Sequence, residues 1–243
     1  MRIDYPEEAQ IPGLRTLWKE AFGDTDAFLD CFFSTAFAPD RCRCVTVENQ
    51  AAAALYWFDC RQEDRPVAYL YAVATAKAFR NQGLCRKLME DTRQLLARLG
   101  YAGILLVPGE KGLFAMYESM GYQTCCRVRE FTCRSSETPV ALRSVTPEEY
   151  AALRRTLLPA GGVVQENENL QFLGSISRLY AGDGFLYAED AELLGNADAA
   201  PGILAALGKE KGSFRCPGEE IPFAMYLPLA QGDSPQYFGL AFD

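Results

Sequence analysis

Apolar positions in this chain recur with two periods, and the switch between them lays out its elements. Leu14, Leu17, Trp18, Ala21 and Phe22 fall on one helical stripe, and Phe28, Leu29, Phe32, Phe33 and Phe37 on a second, with Asp24 or Thr25 placed to cap it. Residues 43–48 and 52–61 alternate as strands around a Glu48-Asn49-Gln50 turn. Residues 66–75 read Pro-Val-Ala-Tyr-Leu-Tyr-Ala-Val-Ala-Thr, an unbroken apolar run of strand length and therefore a strand buried on both faces. Helical spacing returns at Leu84, Leu88, Thr92, Leu95, Leu96 and Leu99, and Gly100 supplies the stop. Residues 101–108 form the next strand, so strand, loop, helix and strand predict a right-handed parallel crossover.

The loop inside that crossover carries the strongest chemical signal. Phe79-Arg80-Asn81-Gln82-Gly83-Leu84-Cys85-Arg86 joins the strand to the helix through a short, basic, glycine-containing turn. A helix that opens at such a turn presents unpaired amides and its positive dipole end, which together accept a pyrophosphate. Arg80 and Arg86 add charge at the edges.

An Arg-x-x-Gly-x-small turn after an apolar strand resembles the acyl-coenzyme A pyrophosphate loop of the GCN5-related N-acetyltransferases (GNAT), with Arg80, Gly83 and Cys85 on the signature positions. Cys85 departs from the usual Gly or Ala. The resemblance implies that residues 80 to 86, namely Arg80, Asn81, Gln82, Gly83, Leu84, Cys85 and Arg86, hold the pyrophosphate. It also implies that the end of the preceding strand, Ala72, Val73, Ala74 and Thr75, splays from its neighbour and hydrogen-bonds the pantetheine arm. The Ala-Val-Ala-Thr wording resembles the branch of enhanced-intracellular-survival (Eis) type acetyltransferases, although Lys77 stands where that branch often carries Pro.

A third motif follows in order. Gly112-Leu-Phe-Ala-Met-Tyr117-Glu-Ser-Met-Gly121-Tyr122 resembles the family's short helix with a tyrosine and a Gly-aromatic turn. The resemblance places the Tyr117 phenol near the coenzyme sulfur, where it would protonate the departing thiolate; read on its own, the same tyrosine is a core residue with a satisfied hydroxyl. No motif fixes the group that deprotonates the acceptor amine. Glu118 points to another side of the helix. The apolar stretch 237–242, read as a final strand, leads to Asp243, and in the resembling branch a chain-terminal carboxylate can reach the reaction centre, so Asp243 is a second catalytic candidate. The family's first two helices border its acceptor pocket, so Phe28, Phe32 and Phe33 stand between substrate contact and plain core.

Composition narrows the alternatives. The chain has 243 residues, 49% of them hydrophobic, enough for one large or two small cores. No apolar run approaches the roughly 20 residues that span a bilayer, and the N-terminus lacks a signal-peptide pattern, so a cytoplasmic protein is expected. There is no histidine, which removes Ser-His-Asp and Cys-His pairs and argues against a catalytic metal. The nine cysteines contain no CxxC pair and read as reduced, mostly buried thiols. Of the 24 Lys and Arg and 32 Asp and Glu, residues 144–243 hold 6 and 14, so the whole net charge of −8 resides there. This argues against nucleic acid as a partner; the acidic half either attracts a cationic amine or is a solvated surface.

Residues 135–139, Ser-Ser-Glu-Thr-Pro, have linker composition. The expected organisation is a GNAT-like domain over 1–134, an α/β fold with a mixed sheet flanked by helices, a linker over 135–145, and a smaller α+β lobe over 146–243. In the last, a helix capped by Thr146 is followed by a short helix (170–176), strands at 177–181, 184–188 and 191–194, a helix at 200–207, and strands at 213–216, 223–229 and 237–242. That order reads as a degenerate second GNAT-like copy without the Arg-x-x-Gly-x-small loop; a sterol-carrier-like domain is the alternative. The function expected is acetyl-coenzyme A dependent N-acetyl transfer by direct attack of a small-molecule or peptide amine, with no metal, no membrane contact, and a monomer or homodimer. The other reading is a non-catalytic acyl-coenzyme A sensor.

Overall fold

A computed structural model describes residues 1–242, which separate into two compact units. The first comprises Met1–Cys60, Arg65–Leu106 and Leu227–Gly232. Its elements are β1 (Arg2–Asp4), α1 (Ile11–Phe22), α2 (Asp26–Thr35), β2 (Cys42–Val47), β3 (Gln50–Gln62, whose last two residues fall in the second unit), β4 (Arg65–Thr75), α3 (Leu84–Arg98) and β5 (Gly103–Leu106). The sheet order is β1-β2-β3-β4-β5. β1 and β2, and β2 and β3, pair antiparallel, whereas β4 and β5 pair parallel, as the crossover through α3 requires.

Local chemistry explains these elements. Thr25 caps α2, its hydroxyl accepting the Phe28 amide at 3.2 Å. Glu48 and Asn49 both adopt positive φ (49° and 65°), the conformation a two-residue hairpin turn demands. Trp18 of α1 is buried against Phe32 of α2 (4.7 Å between ring centres) and Tyr56 of β3 (5.1 Å). α3 buries Leu84, Leu88, Met89, Thr92 and Leu96 against β2, β4 and β5. Leu99, expected on the same face, lies past the last helical turn and is 54% exposed; Gly100 at φ 86° turns the chain there. The periodicity gave no sign of Arg43, buried on β2, which bonds Asp91 of α3 (2.5 Å) and Asp4 of β1 (3.3 Å).

The second unit comprises Arg61–Asp64, Val107–Tyr226 and the residues from Asp233 onward. It contains α4 (Lys111–Glu118), β6 (Gln123–Arg134), β7 (Arg143–Ser144), α5 (Pro147–Leu157), β8 (Val163–Gln165), α6 (Glu168–Ile176), β9 (Leu179–Gly182), β10 (Phe185–Ala188), β11 (Glu192–Gly195), α7 (Ala200–Ala206), β12 (Lys211–Pro217) and β13 (Ile221–Pro228, whose last two residues fall in the first unit). The sheet expected to close by residue 134 takes in later strands, because β6 pairs antiparallel with β12 over Val128–Arg134 and with β13 over Gln123–Val128. A strand of 12 residues is too long for either short partner alone, and residues 211–217 and 221–226 cover its two halves in succession. A smaller four-stranded sheet runs β11-β10-β9-β7, with α7 packing Ile203 and Leu204 into a core shared with Tyr187, Leu193 and Phe214.

Residues 237–242 are buried as expected of an apolar run, yet they form no strand. A single parallel bridge joins Tyr237 to Gly162, and the Gln165 amide donates to the Leu240 carbonyl at 3.0 Å, so side chain and isolated bridge replace a ladder. The tail is fixed by a buried ion pair: Arg154 of α5 is bidentate to Glu192 of β11 (2.8 and 3.0 Å), and the Tyr237 hydroxyl donates to the same carboxylate at 2.8 Å. Among the described residues no helix is long and apolar enough to cross a membrane.

Candidate functional site

The first unit builds its site where β4 outruns its neighbour. The parallel register covers Val67–Leu70 against Gly103–Leu106 and stops there, while β4 continues to Thr75. Immediately past the paired segment, Ala72 adopts φ 49°, a left-handed conformation that costs a residue with a Cβ and bends the strand away from its course. The Ala76 amide then bonds the Ala52 carbonyl at 2.9 Å, so the end of β4 stays tied toward β3.

The turn into α3 is held at three points. A 3-10 turn over Lys77–Phe79 opens with the Lys77 amide donating to the Glu20 carboxylate at 2.6 Å. Arg80 Nε donates to the Thr75 carbonyl at 3.2 Å, and the Gln82 side-chain amide to the Ala78 carbonyl at 3.3 Å. Asn81 (φ 62°) and Gly83 (φ 74°) take left-handed backbone angles, and Gly83 serves as a helix N-cap with no side-chain capping bond. The first intrahelical bond runs from the Lys87 amide to the Gly83 carbonyl (3.1 Å), which leaves the amides of Leu84 and Cys85 ahead of the helical ladder.

The electrostatics favour an anion. Lys77, Arg80, Arg86 and Lys87 are all exposed, and no acidic residue occurs between positions 76 and 89. The helix dipole adds positive potential at the same end. Cys85 is half-buried, and burial pushes its thiol above the ordinary range while Arg86 pulls it down. The uncapped helix start, the cations and the end of β4 that extends past its register with β5 fit a ligand with a diphosphate and an extended amide-bearing arm.

All residues expected to contact coenzyme, Ala72–Thr75 and 80–86, thus lie together in the first unit. Tyr117 belongs to the second, in α4, where it is buried and packs edge to face on Tyr122 (5.8 Å), with Gly121 at φ 94° making the turn between them. Glu118 is exposed. Asp243 lies outside the described residues. Phe32 is core, while Phe28 and Phe33 are half-buried in the ring cluster around Trp18. Two features escaped the sequence. Glu20 reads as one more exposed helix acid, and Ala72 sits in an apolar run with no residue type that announces positive φ.

Comparison with known proteins gives the family and the fold. Residues 2–125 match the model of the acetyltransferase (GNAT) domain family. No curated protein sequence matches the chain significantly. The fold is similar to a GCN5-related N-acetyltransferase from Kribbella flavida (TM-score 0.69, 15% identity, 93% of this chain and 70% of that one). It is also similar to Eis1 from Mycobacterium abscessus (0.67, 11%, 94% and 74%) and to a candidate acetyltransferase of Pyrococcus horikoshii (0.64, 13%, 99% and 94%). The chain belongs to the GNAT family of acetyltransferases.

Proposed function

We propose that this protein transfers an acetyl group from acetyl-coenzyme A to an amine of a small molecule or peptide by direct attack. The observation that carries this reading is the pairing of β4 with β5 only as far as Leu70, beside a helix that starts uncapped at Gly83. Bound acetyl-coenzyme A supplies the activated thioester. The backbone of Ala72, Val73, Ala74 and Thr75 holds the pantetheine arm as an added strand would. The amides from Gly83 to Cys85 hold the pyrophosphate, flanked by Asn81 and Gln82, and Arg80 and Arg86 offset its charge. Tyr117 holds a proton at its phenol oxygen for the departing sulfur. Asp243 is the candidate that takes the proton of the amine; extending the chain by a few residues and finding unchanged turnover would dismiss it.

Residues 146–243 we read as a shrunken copy of the first half. Apart from the short β8 inserted between α5 and α6, the order α5, α6, β9, β10, β11, α7, β12 repeats α1, α2, β2, β3, β4, α3, β5, with a helix of 7 residues in place of one of 15. The copy has no Arg-x-x-Gly-x-small turn before α7, so coenzyme binds the first half alone. The nine free cysteines suit a reducing compartment such as the cytoplasm.

The test is release of free thiol from acetyl-coenzyme A with a panel of polyamines, aminoglycosides, amino acids and N-terminal peptides. Turnover on an amine that falls roughly 100-fold or more in Tyr117→Phe supports the assignment. Coenzyme binding with no turnover on any amine would replace it with an acyl-coenzyme A sensor.

A further inference from the structure

The mechanism makes no use of the vicinal thiols Cys125 and Cys126, and their placement is unusual for a strand. Neighbouring residues of a strand send side chains to opposite faces, yet the two sulfurs here are 3.3 Å apart in a shared S–H···S contact. The register explains it. Cys126 faces Ala224 and Thr124 faces Met225, so Cys125 is an extra residue with no opposite number, and a bulge swings its side chain round to its neighbour's side. A compensating irregularity on β13 skips Phe223 between Pro222 and Ala224, which fixes the bulge from the partner strand. Cys126 is wholly buried and reaches the Pro235 carbonyl at 3.6 Å; Cys125 is half-buried, reaches the Ala224 carbonyl at 3.5 Å, and keeps one side open to solvent.

The spacing discriminates among ligands. A disulfide needs sulfurs about 2.05 Å apart and Cα atoms about 4.4 to 6.8 Å apart, whereas adjacent Cα atoms stand about 3.8 Å apart. A tetrahedral zinc with Zn–S about 2.3 Å spreads two sulfurs to roughly 3.8 Å and asks for two more ligands. Among the described residues no group of three or more Cys, Asp or Glu is placed to hold a metal. A trivalent pyramidal centre, with near right angles between its bonds, fits two close sulfurs and needs no further protein ligand. We propose that Cys125 and Cys126 form a chelating dithiol site for a trivalent thiophilic centre, with organic arsenic(III) as its chemical class. In the exchange, two arsenic–sulfur bonds replace the arsenic–oxygen double bond of an arsine oxide. The two thiol protons leave with that oxygen as water, and nothing is oxidised or reduced. The hydrogen bond shared with Cys125, and then burial, hold Cys126 far above the ordinary thiol range, so the half-exposed Cys125 is the thiol that attacks first.

Phenylarsine oxide is the probe, added to the full chain under reducing conditions, with mass spectrometry and peptide mapping as readouts. The expected result is one adduct per chain, heavier by a phenylarsenic group less two hydrogens. When the chain is denatured after labelling and then alkylated, Cys125 and Cys126 alone are protected, and the adduct is released by a dithiol but not by a monothiol. Cys125→Ser, which alters the half-exposed partner, weakens binding by roughly 100-fold through loss of the chelate. Protection of other cysteines, undiminished binding in Cys125→Ser, or no adduct at all would overturn the proposal. If that variant fails to fold, the map of protected thiols in the unaltered chain decides alone. Closure to a disulfide under mild oxidant, with no arsenical adduct, also counts against it.

Discussion

Arg80 donates its Nε to the carbonyl of Thr75 at 3.2 Å, so the guanidinium at the edge of the basic turn is anchored to the last residue of β4. One hydrogen bond therefore couples the two halves of the proposed coenzyme site, the end of the strand and the start of α3. A Lys at this position keeps the charge but loses the planar fork that serves carbonyl and phosphate together. Arg80→Lys is expected to raise the apparent KM for acetyl-coenzyme A several-fold with little change in kcat, measured by steady-state thiol release.

Gly83 caps α3 at φ 74° with nothing within 4 Å of where a Cβ would stand. The cost of Gly83→Ala is thus conformational, about 1 kcal/mol, with no steric clash. The variant should melt a few degrees lower and bind coenzyme A more weakly by a matching several-fold. A loss of affinity with no loss of stability would indicate that the Cβ blocks the ligand instead.

Glu20 accepts the Lys77 amide at 2.6 Å and so pins the turn that leads into the site. Glu20→Ala is expected to raise KM for acetyl-coenzyme A about fivefold, the equivalent of about 1 kcal/mol for one hydrogen bond. The kcat should hold near its original value, because the residue positions the loop without touching the reacting atoms.

The buried Arg154–Glu192 pair, with Tyr237 on the same carboxylate, holds the tail of the chain. Glu192→Ala leaves a wholly buried guanidinium without its carboxylate and should cost about 3 to 5 kcal/mol in urea unfolding. Replacing both partners together, Arg154→Met with Glu192→Leu, should recover most of that loss, since the desolvation penalty disappears with the charges.

Glu90 illustrates the acid side of the stability profile. Hydrogen bonds from Arg93 and then Gln94 bring its carboxyl down to about 2, so the stabilisation is present in full above the ordinary carboxylate range and drains away as pH falls toward 2. Both partners are exposed, which limits the effect to about 0.3 to 0.5 kcal/mol. Glu90→Gln should be less stable than the parent by that amount at neutral pH, and the difference should vanish by about pH 2.

Much of this was legible in the sequence because period and turn chemistry are local. The helix over 84–98, the Thr25 and Thr146 caps and the Glu48-Asn49 turn each follow from residues within one or two turns of chain. What escaped depends on partners far away. β1, β7 and β8 are 2 or 3 residues long, too short to show a period. The tail at 237–242 has the apolar pattern of a strand but finds isolated partners in Gly162 and Gln165 instead of a ladder. At the site, the basic glycine turn could be read directly, whereas the bend at Ala72 and the Glu20 anchor are products of the folded environment. Cys125 and Cys126 are adjacent in the sequence, but only the register against β13 puts both sulfurs on one side.

The turn from Arg80 to Arg86 is proposed to grip the diphosphate of coenzyme A. Isothermal titration of coenzyme A into the unaltered chain and into Arg80→Glu tests it most directly. Saturable one-to-one binding to the former is expected, with at least a roughly tenfold weaker association with the latter, the charge reversal costing upward of about 1.4 kcal/mol. No binding to the unaltered chain, or equal affinity in Arg80→Glu, would contradict it.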